Sequence, residues 1–188
     1  MITFIIPTVN RPSLKRAIDS LYAQTLSEWK AIIIYDGVEP SEDYSSDQIK
    51  ILKINKTGIL GEFHGQAGLV RNIGISQIDT EWVGFLDDDD VLDKHYVELL
   101  ESKYSMFDLV IFRMNCSINN AIIPRFNNNA LYDGNVGISF CYKPFSRDEV
   151  INFSENSTAE DYELVEGLIK SGYKYIISEE VAYYVRPE

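Results

Sequence analysis

Four short runs of almost unbroken apolar residues, at positions 2–6, 29–35, 82–86 and 109–112, most constrain what this chain can fold into. Each is only a few residues long, rich in Ile, Val and aromatic side chains, and three are closed by Pro7, Asp36-Gly37 and the aspartates from Asp87. A strand with one wet face alternates apolar and polar residues, so an unbroken run implies a strand covered on both faces, as in parallel sheets. Between the runs, Leu14, Ala17, Ile18 and Leu21 recur at helical spacing, with Pro12 placed for a first turn. A second helix is expected from about Ala67 to Gln77, and a third from Asp93 to Tyr104 with Tyr96, Val97, Leu100 and Tyr104 facing inward. A weaker strand falls at 51–54. Strands alternating with helices predict an α/β fold built on a mainly parallel sheet flanked by helices.

The pattern changes after Met114. Residues 117–137 are rich in Asn, a short apolar run at 121–124 precedes an Asp133-Gly134 turn, and 136–142 is strand-like. These features predict a small antiparallel portion in the C-terminal half, with a mobile loop tipped by Asn127-Asn128-Asn129. A helix from about Thr158 to Ser171, a strand at 175–177 and an apolar segment at 181–185 complete the chain. At 188 residues without a low-complexity linker, one domain is expected.

The formal charge of −12 opposes binding to nucleic acid or to an anionic lipid surface, since both would repel it. Cys116 and Cys141 match no disulfide framework or metal-ligand spacing and read as reduced, buried thiols. The first residues do not resemble a signal peptide and no apolar run reaches membrane-spanning length, so a cytoplasmic protein without an integral membrane segment is expected. The sequon-like triplets at Asn55 and Asn156 carry no weight without a secretory route.

The run at 82–86 delivers four carboxylates, Asp87-Asp88-Asp89-Asp90, to its own carboxyl end. Like charges about 4 Å apart repel by roughly 4 kcal/mol at a protein surface, so the cluster calls for a cation or for water. Ligands of open α/β sheets collect at the carboxyl ends of strands, where Asp36 also falls. Gly58, Gly61, Gly65 and Gly68 lead into the second helix, but their spacing matches neither a P-loop nor a dinucleotide fingerprint, and they read as ordinary loop flexibility.

Five pieces in order, Phe4-Ile5-Ile6-Pro7-Thr8-Val9-Asn10-Arg11-Pro12, Ile33-Ile34-Tyr35-Asp36-Gly37, Val70-Arg71-Asn72-Ile73-Gly74-Ile75, Phe85 to Asp90 and Glu160-Asp161, resemble the family 2 glycosyltransferases. The resemblance covers nearly the whole chain and implies a GT-A fold, with a Rossmann-like nucleotide-binding half over about 1–114 and an acceptor-side half over about 115–188. It implies an inverting transfer of sugar from a nucleotide-diphosphate donor to a hydroxyl acceptor with Mn²⁺ or Mg²⁺. Pro7 and Thr8 would line the nucleoside pocket, and Asp36 would receive the base, typically uracil, which makes the donor a UDP-sugar. Arg71 would lie near the nucleotide, with a surface charge on its helix as the plain alternative.

The same resemblance makes Asp87-x-Asp89 the DxD motif, with Asp89 as metal ligand and Asp87 and Asp88 sharing the second ligand role and contacts to ribose. Hard oxygen donors suit either metal, which keeps several waters and bridges diphosphate oxygens. Asp90 is left to begin the loop toward the next helix. Asp161 would be the general base, while Ser157-x-x-Glu160 also fits a capping box, with Glu160 as the cap. His64 and His95 read as structural or exposed, so no third protein ligand to the metal is evident.

Other functions remain open on sequence. A non-catalytic or degenerate sugar-nucleotide binding module would keep the same motifs. A sugar-1-phosphate nucleotidyltransferase would carry a glycine-rich loop after the first strand, where this chain has Pro7 to Pro12. A glycosidase would explain paired carboxylates but not the nucleotide-side motifs.

Overall fold

The first apolar run forms β1 (Ile2–Thr8), which pairs in parallel with β2 (Trp29–Asp36) on one side and β4 (Trp82–Phe85) on the other. β3 (Ile49–Ile54) extends the parallel array beyond β2. The computed structural model describes residues 1–57, 67–117, 119–145, 150–154 and 157–187. Gly58, Gly61, His64, Gly65 and Asn156 lie outside them.

In the second half, β5 (Val91–Leu92), β6 (Leu109–Cys116), β7 (Ala121–Ile123), β8 (Phe140–Tyr142) and β9 (Tyr175–Val185) complete one sheet in the order β3-β2-β1-β4-β8-β6-β9-β5, with β7 also on β6. Antiparallel β8 lies between β4 and β6, and β6 pairs in parallel with β9. The long strands therefore share one direction, and only the short β5, β7 and β8 oppose it. A mainly parallel sheet with a small antiparallel portion is what the apolar runs predicted.

Helices cover both faces. Ile5 packs under Gly74 of α2 (Ala67–Ile75), where a Cβ would come within 2.7 Å of it. Phe4, pointing the other way on β1, meets Tyr96 edge to face at 5.4 Å. Tyr96 opens α3 (Tyr96–Leu99), which widens into a π-helical turn over Leu100–Tyr104. α1 (Leu14–Tyr22) buries the four apolar residues that its spacing singled out, and α4 (Glu160–Lys170) precedes β9.

Several boundaries differ from expectation for identifiable reasons. The helix expected from Asp93 begins at Tyr96, because residues 91–92 are drawn out to pair with β9. The two C-terminal strands are one, since an irregular register against β6 absorbs the polar residues between them. Only the last three residues of the 136–142 run pair. The Asn-rich tip is pinned: Arg113 Nη2 donates to Asn129 Oδ1 at 2.9 Å, and Asn135 Nδ2 donates to the Ala130 carbonyl at 2.7 Å. The capping box at 157–160 does not form; Ala159 occupies the cap position and Glu160 is engaged elsewhere. Cys141 is buried and Cys116 partly so, both as free thiols.

Candidate active site

The parallel register sets Thr8 beside Tyr35 and Ile5 beside Phe85, so the carboxyl ends of β1, β2 and β4 open onto one crevice. A cavity of about 340 Å³ lies there, and Pro7, Thr8, Asp36, Arg71, Asp87, Asp88 and Asp89 all line it. Asp161, the expected base, is not on the cavity wall but lies beside Arg71, which is.

The four aspartates have four different environments. Asp88 is buried, accepting hydrogen bonds from Thr8 Oγ1 at 2.6 Å and Arg11 Nη1 at 3.0 Å. Desolvation outweighs these partners and raises its pKa. Asp89, 20% exposed, is held through Oδ2 by Arg11 Nη1 at 3.2 Å and Arg186 Nε at 2.9 Å. Asp87 is the most open of the three lining the cavity at 35% and pairs with Arg71 Nη2 at 2.7 Å. Asp90 does more than begin a loop: it is buried and accepts the Arg186 backbone N–H at 2.9 Å. Burial first and Asp87 second push its carboxyl up to about 7.

Arg71 is not a surface charge. Its side chain is 5% exposed, and it spans α2, β4's end and α4, with Nη2 on Asp87 and Nη1 on Glu160 Oε1 at 2.7 Å each. Its face lies 5.4 Å from the Phe153 ring. Glu160 in turn accepts the Gly68 N–H at 3.1 Å. Gly68, read from sequence as loop flexibility, is helical and close-packed: a Cβ there would lie 2.5 Å from Glu160 Oε2.

Asp161 Oδ1 lies 3.9 Å from Arg71 Nη1 and has no hydrogen-bond partner among the described residues. Desolvation raises its carboxyl to about 7; Arg71 opposes this, while Asp87 and Glu160 add to it. Asp36 is also buried, which raises its pKa, but Lys56 Nζ at 2.9 Å and the Thr57 N–H at 2.7 Å outweigh burial and hold it below the ordinary value.

Asp87 and Asp89 offer hard oxygen donors on the cavity, and among the described residues no three His, Cys, Asp or Glu side chains converge into a cage. That donor set fits Mg²⁺ or Mn²⁺ held by one or two carboxylates, with diphosphate and water filling the shell. His95 adds no ligand, being 47% exposed and paired with Glu98. Sequence reasoning missed Arg11, Lys56, Glu160 and Arg186 as site residues. The available signal was electrostatic: a dense carboxylate run in a chain of net charge −12 needs cations of its own.

A family model described as "Glycosyl transferase family 2" matches residues 3–113, more than half of the 188 residues. The chain belongs to glycosyl transferase family 2. This family 2 chain is 26% identical over 209 residues to poly(ribitol-phosphate) beta-N-acetylglucosaminyltransferase TarP of Staphylococcus aureus, covering 98% of this chain and 62% of that protein. It is 30% identical over 118 residues to the uncharacterized glycosyltransferase EpsJ of Bacillus subtilis, covering 58% of this chain and 33% of that protein. The family 2 chain thus spans at most 62% of these relatives' lengths.

Among solved structures, S. aureus TarS 1–349 in complex with UDP-GlcNAc aligns with a TM-score of 0.75 at 18% identity, covering all of this chain and 58% of that one. A mannosyltransferase from Pyrobaculum calidifontis, in complex with GDP-Man and Mn²⁺, aligns with a TM-score of 0.64 at 15% identity over all of this chain and 57% of that one. These likenesses show the shared GT-A fold. Among the described residues no helix is long and apolar enough to cross a membrane.

Proposed function

We propose that this domain is an inverting glycosyltransferase that moves a sugar from a nucleotide-diphosphate donor, a UDP-sugar, to a hydroxyl acceptor. The observation that carries the reading is the convergence of strand-end carboxylates and arginines on one cavity, with a partly buried, poorly compensated acid, Asp161, behind Arg71. The base would rest near Asp36, where the carboxylate has spare acceptor capacity beyond Lys56 and Thr57. Asp89 and Asp87 would hold the divalent cation, which when bound stabilises charge on the departing diphosphate.

Asp161 is the general base. A sugar hydroxyl is a weak nucleophile, and a positioned carboxylate with a pKa near the working pH accelerates its attack by about 10²–10⁴-fold. The acceptor oxygen forms its bond to the anomeric carbon as its proton passes to Asp161. The bond from that carbon to the diphosphate oxygen breaks, and nucleoside diphosphate leaves with the electron pair. One base suffices for this direct displacement, which inverts the anomeric centre. Arg71 holds Asp87 and Glu160 in place beside the base.

Similarity to TarP, named as an N-acetylglucosaminyltransferase, and to TarS in complex with UDP-GlcNAc makes UDP-GlcNAc the first donor to assay. The test measures nucleoside diphosphate release, UDP or GDP according to the donor, from a panel of UDP- and GDP-sugars, with Mn²⁺ and with chelator, for the native chain and Asp89→Asn. Metal-dependent release lost in Asp89→Asn is expected. Failure of every donor to bind or turn over would overturn the reading.

A further inference from the structure

Four carboxylates on the cavity face four cations among the described lining residues. Lys56 offsets Asp36 and Arg71 offsets Asp87, and both pairs are fixed by buried partners. That leaves Arg11 and Arg186 against Asp88 and Asp89. What sets these two arginines apart from Lys56 and Arg71 is that they enter from opposite ends of the chain and share one oxygen, Asp89 Oδ2, and both side chains are at least half exposed, at 50% and 58%. Asp89, the proposed metal ligand, is therefore already contacted by two exposed guanidinium groups, one of which, Arg11, it shares with Asp88.

The backbone that carries Arg186 is held more firmly than its side chain. Its N–H is bound by Asp90, its carbonyl accepts from Ser117 Oγ at 2.6 Å, and the next carbonyl, of Pro187, accepts from Arg16. Arg186 also sits at φ +44°, a conformation that a non-glycine residue keeps only where its surroundings enforce it. A strained anchor point and a half-exposed charged end aimed at Asp89 make a side chain that can exchange partners without the strand end moving.

We infer that Arg11 and Arg186 form an exchangeable clamp for the donor's diphosphate, holding Asp89 until a divalent cation takes that carboxylate and then turning onto the phosphate oxygens. The inference rests on the glycosyltransferase reading of the site. A free dication must displace two guanidinium groups from Asp89, and a free diphosphate meets a cavity whose charges already cancel. Metal and diphosphate together compensate one another: the cation satisfies Asp89, and the released arginines gain a partner to which they pair well in planar, bidentate fashion. The two ligands should therefore bind synergistically, and the arginines should oppose one of them while supporting the other.

The test is calorimetric titration of the full chain with Mn²⁺ alone, UDP alone, and UDP in saturating Mn²⁺, with Mn²⁺ binding also followed by its electron paramagnetic resonance signal. For the native chain, each ligand is expected to tighten the other by about 10-fold or more. Arg186→Gln and Arg11→Gln are each expected to bind Mn²⁺ alone several-fold more tightly, yet to bind UDP in Mn²⁺ about 10-fold more weakly, with Arg186→Lys in between. Effects of opposite sign separate the clamp from general damage, and the two arginines lie on different elements, so misfolding of one variant leaves the other to decide. If the native chain binds UDP with Mn²⁺ but the variants change both affinities in the same direction, or neither, the clamp is overturned. If the native chain fails to bind UDP with Mn²⁺, the glycosyltransferase reading falls, and the clamp with it.

Discussion

The Arg71 guanidinium lies 3.9 Å from Asp161 Oδ1 yet gives its hydrogen bonds to other acids, Asp87 and Glu160. Asp161 therefore feels the positive charge without being tied down by it. A bound, fully paired carboxylate would be a poor base, whereas Asp161 has a pKa raised to about 7, which suits the proposed role.

If Asp161 is the proposed general base, Asp161→Asn should lower kcat by about 10²–10⁴-fold with little change in donor KM, because it removes that proton acceptor and keeps the shape. Its stability should move the other way. The folded pKa of about 7 stands above the ordinary 3.8, so the native acid ionises at a cost that is absent below about pH 4, grows through the interval, and is complete above about pH 7. The metal-free Asn variant should then match the native chain at pH 4 and exceed it by on the order of 2 kcal/mol at pH 8, the amount being reduced by water at the 27% exposed side chain. Urea unfolding across that range measures it. A gap that is constant with pH would show that Asp161 titrates as an ordinary surface acid.

Removing Arg71 should be costly. Arg71→Met leaves Asp87, Glu160 and Asp161 without their shared cation, and breaking one partner of a buried ion pair costs about 3–5 kcal/mol. Adding Glu160→Gln should restore part of that loss, since one uncompensated acid disappears. A double-mutant cycle in urea reads the coupling; strict additivity would sink the network.

The sheet was legible because burial on both faces writes itself locally as unbroken apolar runs. The strand-end acids were legible for the same reason, since each follows directly on its run. What the local pattern could not carry was pairing across the chain. Arg71 meets Glu160 across 89 residues and Asp90 meets Arg186 across 96, so the sequence could place Arg71 near the nucleotide by resemblance but showed neither its acidic partners nor any role for Arg186. The Ser157-x-x-Glu160 spacing misled in the opposite way. It offered Glu160 a local partner, whereas a buried arginine is the stronger attraction and took the carboxylate away from the helix end.

Away from the site, Glu180 is a stability reporter. Desolvation raises its pKa, but Lys103, Tyr104 and Ser178 outweigh that and hold it at about 2, below the ordinary 4.5. Its contribution is present above about pH 4.5 and lost as pH falls toward 2. Glu180→Gln should destabilise the chain by about 2 kcal/mol at pH 7, after allowance for partial exposure, and by little at pH 2. Thermal melts at the two pH values test this, and equal losses at both would reject the charge-based account.

Gly68→Ala tests whether the acids beside Arg71 must be held where they are. The added Cβ would lie 2.5 Å from Glu160 Oε2 and 2.9 Å from Phe153 Cβ, inside any real carbon contact, so something must give. The Glu160 carboxylate is the looser neighbour, and moving it strands the Gly68 N–H and one side of Arg71. Alanine raises helix propensity by about 1 kcal/mol over glycine, so on an open helix face the change would stabilise. Here overpacking, at about 1–3 kcal/mol, and the lost hydrogen bond should win. The expected result is net destabilisation of about 1–3 kcal/mol with a fall in kcat and a donor KM within a few-fold, because the disturbance reaches Glu160 and the side of Arg71 facing Asp161, the proposed base, before it reaches Asp87. If Gly68→Ala proves as stable and active as the native chain, Glu160 does not position Arg71, and the placement of the arginine near Asp161 rests on Asp87.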